Sequence, residues 1–232
     1  MVTEIKSQNL PSHRRLWQFA LWPLVAAILS VTLCSCCCTK PAPKAARLSD
    51  PDELVNLEKL IPGIQLDIRY ATSNNFTGQR LYPVAKCYLR RQAAEQLKLV
   101  QEELRPMGLA LKIFDGYRPL SVQKKMWAIY PNPGFVADPA KGSRHNRGAA
   151  VDLTLIRLDG TEVPMPTPYD DFTPKAGSRY MDLPDDVIQN RALLERVMRA
   201  HDFRELNTEW WHFDFRNGWK YDILDIDYSE LD

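Results

Sequence analysis

The sequence predicts an α+β domain built on an antiparallel sheet. Three observations lead there. Residues 91–104 and 185–200 repeat apolar side chains with the period of an amphipathic helix. Residues 64–70, 109–114, 149–158 and 211–215 alternate, or run apolar over strand lengths. The two kinds of segment mix along the chain without the strand–helix–strand rhythm of a doubly wound parallel sheet.

His13, Arg14 and Arg15 form a basic patch before Leu16–Leu33, which is apolar apart from Gln18 and two hydroxyls. A basic flank and an apolar run have the layout of a secretory signal. The run is also long enough to just span a bilayer, but Pro23 and the small, polar residues beyond it favour a signal. It ends in Leu33-Cys34-Ser35-Cys36-Cys37-Cys38, which places four of the five cysteines within five residues. A zinc knuckle needs a second cysteine arm, and adjacent cysteines close poor disulfides with each other. Leu33 to Cys36 instead resembles a bacterial lipobox with Cys36 as the lipidated residue. The alternative is a palmitoylated or uncleaved anchor. Either reading places the domain in the cell envelope, facing outside the cytoplasm and joined to the membrane by a signal or lipid anchor. Residues 1–38 are therefore expected to be the signal, and 39–53, rich in Pro, Ala and Lys, a tether. Residues 54–232 form the domain. Only Cys87 falls inside it, so no disulfide framework is expected.

Within the domain, Ile64–Tyr70 alternates and predicts a strand. Arg91–Leu104 places Ala93, Leu97, Val100 and Leu104 on one helical face, and Pro106 ends it. Leu109–Phe114 predicts a strand and Asp115-Gly116 a turn. Leu120–Tyr130 predicts a helix and Ala149–Leu158 a strand. Asp185–Ala200 predicts a helix with Val187, Leu194, Val197 and Met198 inward; His201 at its end reads as a dipole partner or surface residue. Trp211–Phe215 predicts a last strand with Trp211, Phe213 and Phe215 on one face.

Composition narrows the function. Hydrophobic residues make up 45% and charged residues 25% of the 232, as in an ordinary globular protein. A formal net charge of +1 gives no footprint for nucleic acid. No long internal period argues for a solenoid or propeller.

Three stretches hold polar residues where strands begin or end: Asp115 to Pro119, Ser143 to Asp152, and Glu209 to His212. Asp152 sits in a run that reads as a buried strand, where a carboxylate is costly unless paired. His145, Asp152 and His212 together offer two imidazole nitrogens and one carboxylate oxygen. That is a three-ligand zinc set with a fourth position open, the catalytic type, and a metal would neutralise Asp152. Gly148 lets the backbone curl so that His145 meets Asp152. In a straight strand Glu209 and His212 would face opposite ways. Glu209 therefore belongs on the preceding turn, where its carboxylate can take a proton from water and return it to a leaving amine. Each fragment alone is weak: His-x6-Asp and Glu-x-x-His occur without metals, Trp210-Trp211 can be core, and Arg118 can be a surface charge. Their occurrence together carries the reading.

Ser143-x-His145-x-x-Gly148-x-Ala150-x-Asp152, followed by Glu209-x-x-His212, resembles the signature of zinc D,D-peptidases. Tyr70-Ala71-Thr72, Asn75-Phe76-Thr77-Gly78, Asp115-Gly116-Tyr117-Arg118-Pro119, Asp152-Leu153-Thr154-Leu155 and Glu209-Trp210-Trp211-His212 resemble its dipeptidase branch, which acts in vancomycin resistance. The resemblance covers roughly residues 55–220. It implies a small single α+β domain of the hedgehog/D-Ala-D-Ala-peptidase type, with a central antiparallel sheet flanked by helices. It implies one zinc per chain on His145, Asp152 and His212, Glu209 as general acid/base, and Arg118 as oxyanion stabiliser. Ser143 would hold substrate, Asp170 would bind the substrate ammonium, and Tyr70 would line a small pocket. The implied reaction is hydrolysis of D-alanyl-D-alanine in cell-wall turnover, with a small dipeptide as partner. The alternative is a D,D- or L,D-carboxypeptidase trimming stem peptides, and Asp170 discriminates, since a carboxylate there rewards a free ammonium. Two stretches depart from the pattern: Met165-Pro166-Thr167-Pro168 carries prolines where small, flexible residues are expected, and the segment between Trp127 and Ser143 is short.

Overall fold

The computed structural model describes residues 50 and 52–231. The expected signal, Cys36 and nearly all of the tether lie outside the described residues. In chain order the elements are β1 (Leu54–Asn56), α1 (Leu57–Leu60), β2 (Gln65–Leu66), β3 (Tyr88–Arg90), α2 (Arg91–Leu104), β4 (Leu109–Asp115), α3 (Leu120–Ile129), β5 (Ala150–Arg157), α4 (Asp185–Ala200), β6 (Phe203–Glu205) and β7 (His212–Phe215). Among the described residues no helix is long and apolar enough to cross a membrane.

The central sheet has the order β2-β4-β5-β7-β6, and a separate ribbon pairs β1 with β3. The fold is α+β, as expected. The sheet is not wholly antiparallel, because β2 runs parallel to β4. A parallel pair needs a long crossover, and here the connection runs through β3 and α2. The strand expected at Ile64–Tyr70 shrinks to two paired residues. The Asp67 amide still donates to the Ile113 carbonyl, but the chain then turns into a 3-10 turn over Arg69–Ala71, which carries Tyr70 inward. The helices α2 and α4 match their expected bounds because each has a continuous apolar stripe. Leu97, Val100, Leu104, Leu194, Val197 and Met198 are all fully buried.

The middle strand β5 is buried from Ala150 to Ile156. Its neighbours place the polar groups. Asp152 faces His212 on β7, and a register shift in β4 after Ile113 brings Asp115 opposite Asp152 on the other side. A shift of this kind re-aims a side chain at the end of a strand. One end of the sheet thus holds a polar row in an otherwise apolar layer.

Candidate metal centre

His145 stands on a 3-10 turn over His145–Arg147, closed by Gly148 at φ +66°. The positive φ favours glycine, and a Cβ there would come within 2.5 Å of the Leu54 Cδ2 tip and 3.3 Å of the Arg90 amide nitrogen. The turn is bolted to the one carrying Arg118. The Arg118 amide donates to the His145 carbonyl at 3.1 Å, and Asn146 Nδ2 donates to the Arg118 carbonyl at 2.9 Å.

Hydrogen bonds set the tautomer of each imidazole. His145 Nδ1 lies 2.8 Å from the Gly116 carbonyl, which can only accept, so this nitrogen carries the proton. His212 Nε2 lies 3.0 Å from Asp214 Oδ1 and donates likewise. The remaining nitrogens, His145 Nε2 and His212 Nδ1, approach each other to 3.0 Å, and Asp152 Oδ1 is 3.3 Å and 3.0 Å from them. Three Lewis bases converge with no proton among them when both rings are neutral. Such a group repels itself unless a proton or a metal ion sits between. Burial works against a charged imidazole, yet Asp214 and Asp152 overcome it and hold His212 well above its ordinary pKa. Burial likewise raises Asp152, but His145 and His212 outweigh it and keep the carboxyl well below the usual range. These side chains offer ligand atoms all within 4.8 Å of one another. Two imidazoles and a carboxylate, each oriented by an outer partner, suit zinc.

All eight residues of the domain that the sequence nominated line one cavity of about 400 Å³. Glu209 lies on the turn before β7, as expected. It is buried, with Oε2 4.0 Å from His212 Nδ1, and makes no side-chain hydrogen bond among the described residues. Burial pushes its carboxyl up to about 8, which suits proton transfer near neutrality. Arg118 is fixed by Asp115, which accepts from its Nε at 3.1 Å and its Nη2 at 2.6 Å, and by Gln123 at 2.9 Å. Asp170 accepts from the Tyr70 hydroxyl at 3.1 Å and the Phe76 amide at 3.3 Å, and has no salt-bridge partner among the described residues. Ser143 stands at the rim, its hydroxyl 3.2 Å from Asn146 Oδ1. His201 lies outside the cavity, 2.9 Å from Glu103 on α2, at the end of α4.

Several site residues escaped the sequence reading. Tyr169 donates to Asp152 Oδ2 at 2.9 Å; nothing in the sequence links it to Asp152. Asp214 follows His212 by two positions, a spacing that shares a strand face and could have flagged it. Asp115 lay in a noted turn without a role. The two departing stretches separate in space. Met165–Pro168 lines another cavity with Arg69 and Phe114, whereas Pro133–Ala137 lines the metal-site cavity.

A family model described as D-ala-D-ala dipeptidase matches residues 50–228. The D-alanyl-D-alanine dipeptidase of Escherichia coli (strain K12) is 33% identical over 182 residues, covering 78% of this chain and 94% of that protein. The D-alanyl-D-alanine dipeptidase of Enterococcus faecium is 32% identical over 185 residues, covering 69% and 90%. That of Enterococcus faecalis is 30% identical over 181 residues, covering 68% and 88%.

Proposed function

The chain belongs to the D-ala-D-ala dipeptidase family, and from that premise we propose how its cavity works. The protein is a zinc metallopeptidase that hydrolyses D-alanyl-D-alanine to two D-alanines. One observation carries the assignment of roles: His145 Nε2, His212 Nδ1 and Asp152 Oδ1 converge within hydrogen-bonding distances beside a buried Glu209. Zinc on these three ligands supplies a Lewis acid for the scissile carbonyl and an acidified water.

The chain's own residues do the rest. Glu209 takes a proton from the attacking water and returns it to the departing amine. The buried Arg118 guanidinium, locked by Asp115 and Gln123, presents positive charge to the developing oxyanion. Asp170 is a carboxylate in the cavity wall without a cation of its own. It receives the ammonium of the substrate, and an amino terminus extended by further residues would leave that charge unpaired. Tyr70 holds Asp170 in place. Ser143 offers a hydroxyl at the rim. Purified protein with one zinc, given D-Ala-D-Ala and a stem pentapeptide side by side, tests this reading. Faster turnover of the pentapeptide would shift it to the carboxypeptidase alternative.

The sequence of residues 13–38 supports an envelope location, with Cys36 lipidated and the dipeptide drawn from wall turnover. Labelled palmitate should enter the protein and fail to enter Cys36→Ala. Fractionation of the mature protein into the cytoplasm would remove the envelope reading without touching the catalytic one.

A further inference from the structure

Asp170 adopts φ +62°, a left-handed conformation that is rare outside glycine. It sits between Tyr169 and Phe172 in a stretch without helix or strand. Such a turn persists only where its surroundings hold it. Two residues on, the ring of Phe172 stacks with Phe135 at 4.6 Å between centroids and 24° between planes. It also stacks with Tyr130 at 5.5 Å and 19°. Phe76 packs on the same ring at 5.3 Å. The Phe76 backbone amide in turn donates to Asp170 Oδ2. The contacts form a closed circuit: Asp170 carboxyl, Phe76 backbone, Phe76 ring, Phe172 ring, and back along the chain to Asp170. The four rings come from three separate loops, all are only partly buried, and Phe76, Phe135 and Phe172 reach the cavity wall.

We propose that Phe172 is a positioning residue for Asp170, and that the ring stack around it aims the carboxylate at the ammonium of the substrate. The proposal rests on the assignment of Asp170 to that ammonium. A ring that touches only the carbon skeleton the two substrates share would affect both alike, and a ring that met the ammonium directly would still act when Asp170 is Ala. A positioning ring affects only those that carry the positive charge.

The test compares kcat/KM for D-Ala-D-Ala and for N-propionyl-D-alanine, which differs only in lacking the amino group. Phe172→Ala should lower kcat/KM for D-Ala-D-Ala by about ten- to a hundredfold, mostly through KM, as expected for a misaimed binding group. It should leave N-propionyl-D-alanine within about threefold, so the ratio between the substrates collapses. Phe172→Tyr, which keeps the stack, should preserve the ratio. Phe172→Leu, which keeps bulk but not the stacking plane, serves if the alanine variant does not fold. Bound zinc should stay at one per chain throughout. Asp170→Ala separates the two layers. If it leaves the ratio intact, the ammonium assignment fails. If it collapses the ratio but Phe172→Ala and Phe172→Leu slow both substrates equally, the positioning proposal is overturned.

Discussion

Asp152 and His212 are direct cross-strand partners on β5 and β7, and this pairing brings Asp152 Oδ1 to 3.0 Å from His212 Nδ1. Two of the three proposed ligands are therefore placed by strand register. His145 completes the set from a turn seven residues before Asp152. Replacing any one ligand should release the metal. His145→Ala, Asp152→Ala and His212→Ala should each purify with far less than one zinc per chain by metal analysis and lose turnover. A variant that kept full zinc occupancy would remove that residue from the ligand set.

Glu209 is close to the ligands but is not one of them in this geometry. Glu209→Gln should keep one zinc per chain while kcat falls by about 10²- to 10⁴-fold, the usual worth of a positioned acid/base. Loss of zinc along with activity would make Glu209 a ligand instead.

How much of this was legible in the sequence follows the range of each interaction. The helices α2 and α4 could be read because their apolar periods are local and long. The short pieces β1, β3 and β6 carry three residues each, too few for a period to register. The convergence of His145, Asp152 and His212 was legible because a carboxylate in a buried run demands a partner, and few histidines were available to supply one. The partners that orient the ligands were not. Tyr169 reaches Asp152 by a loop path, and the Gly116 carbonyl that fixes His145 is a backbone group, invisible to residue type. Phe172 likewise reads as an isolated aromatic until three loops meet.

Asp170 gives a pH dependence with a definite sign. Burial pushes its carboxyl up to about 7. Below that pH it is neutral and loses its attraction for an ammonium, which stays charged until about pH 8. KM for D-Ala-D-Ala should thus rise as pH drops from 8 to 6. Asp170→Asn should show a high KM that no longer changes over this range, while any fall in kcat from protonating Glu209 remains. The stability sign is opposite. The folded value lies above the unfolded one, so the fold loses stability as pH rises from about 4 towards 7. Asp170→Asn should therefore melt higher than the parent at pH 8. A parent KM that stays flat between pH 6 and 8 would remove Asp170 from substrate recognition.

Gly148 links fold to function most directly. At φ +66°, any side chain pays the left-handed cost of about 1–2 kcal/mol. An alanine Cβ would in addition lie 2.5 Å from Leu54 Cδ2 and 3.3 Å from the Arg90 amide nitrogen, which donates to the Gly148 carbonyl. The leucine tip can yield, but the backbone amide cannot move without loosening β3 from the His145 turn. Gly148→Ala should lower Tm by several degrees in the metal-free protein, since about 1 kcal/mol is worth roughly 2–4 °C at this size. It should also weaken zinc binding, because the same turn carries His145. If Tm falls while zinc affinity stays at the parental level, Gly148 is a stability element only, and His145 is held by its hydrogen bonds to Gly116 and Arg118.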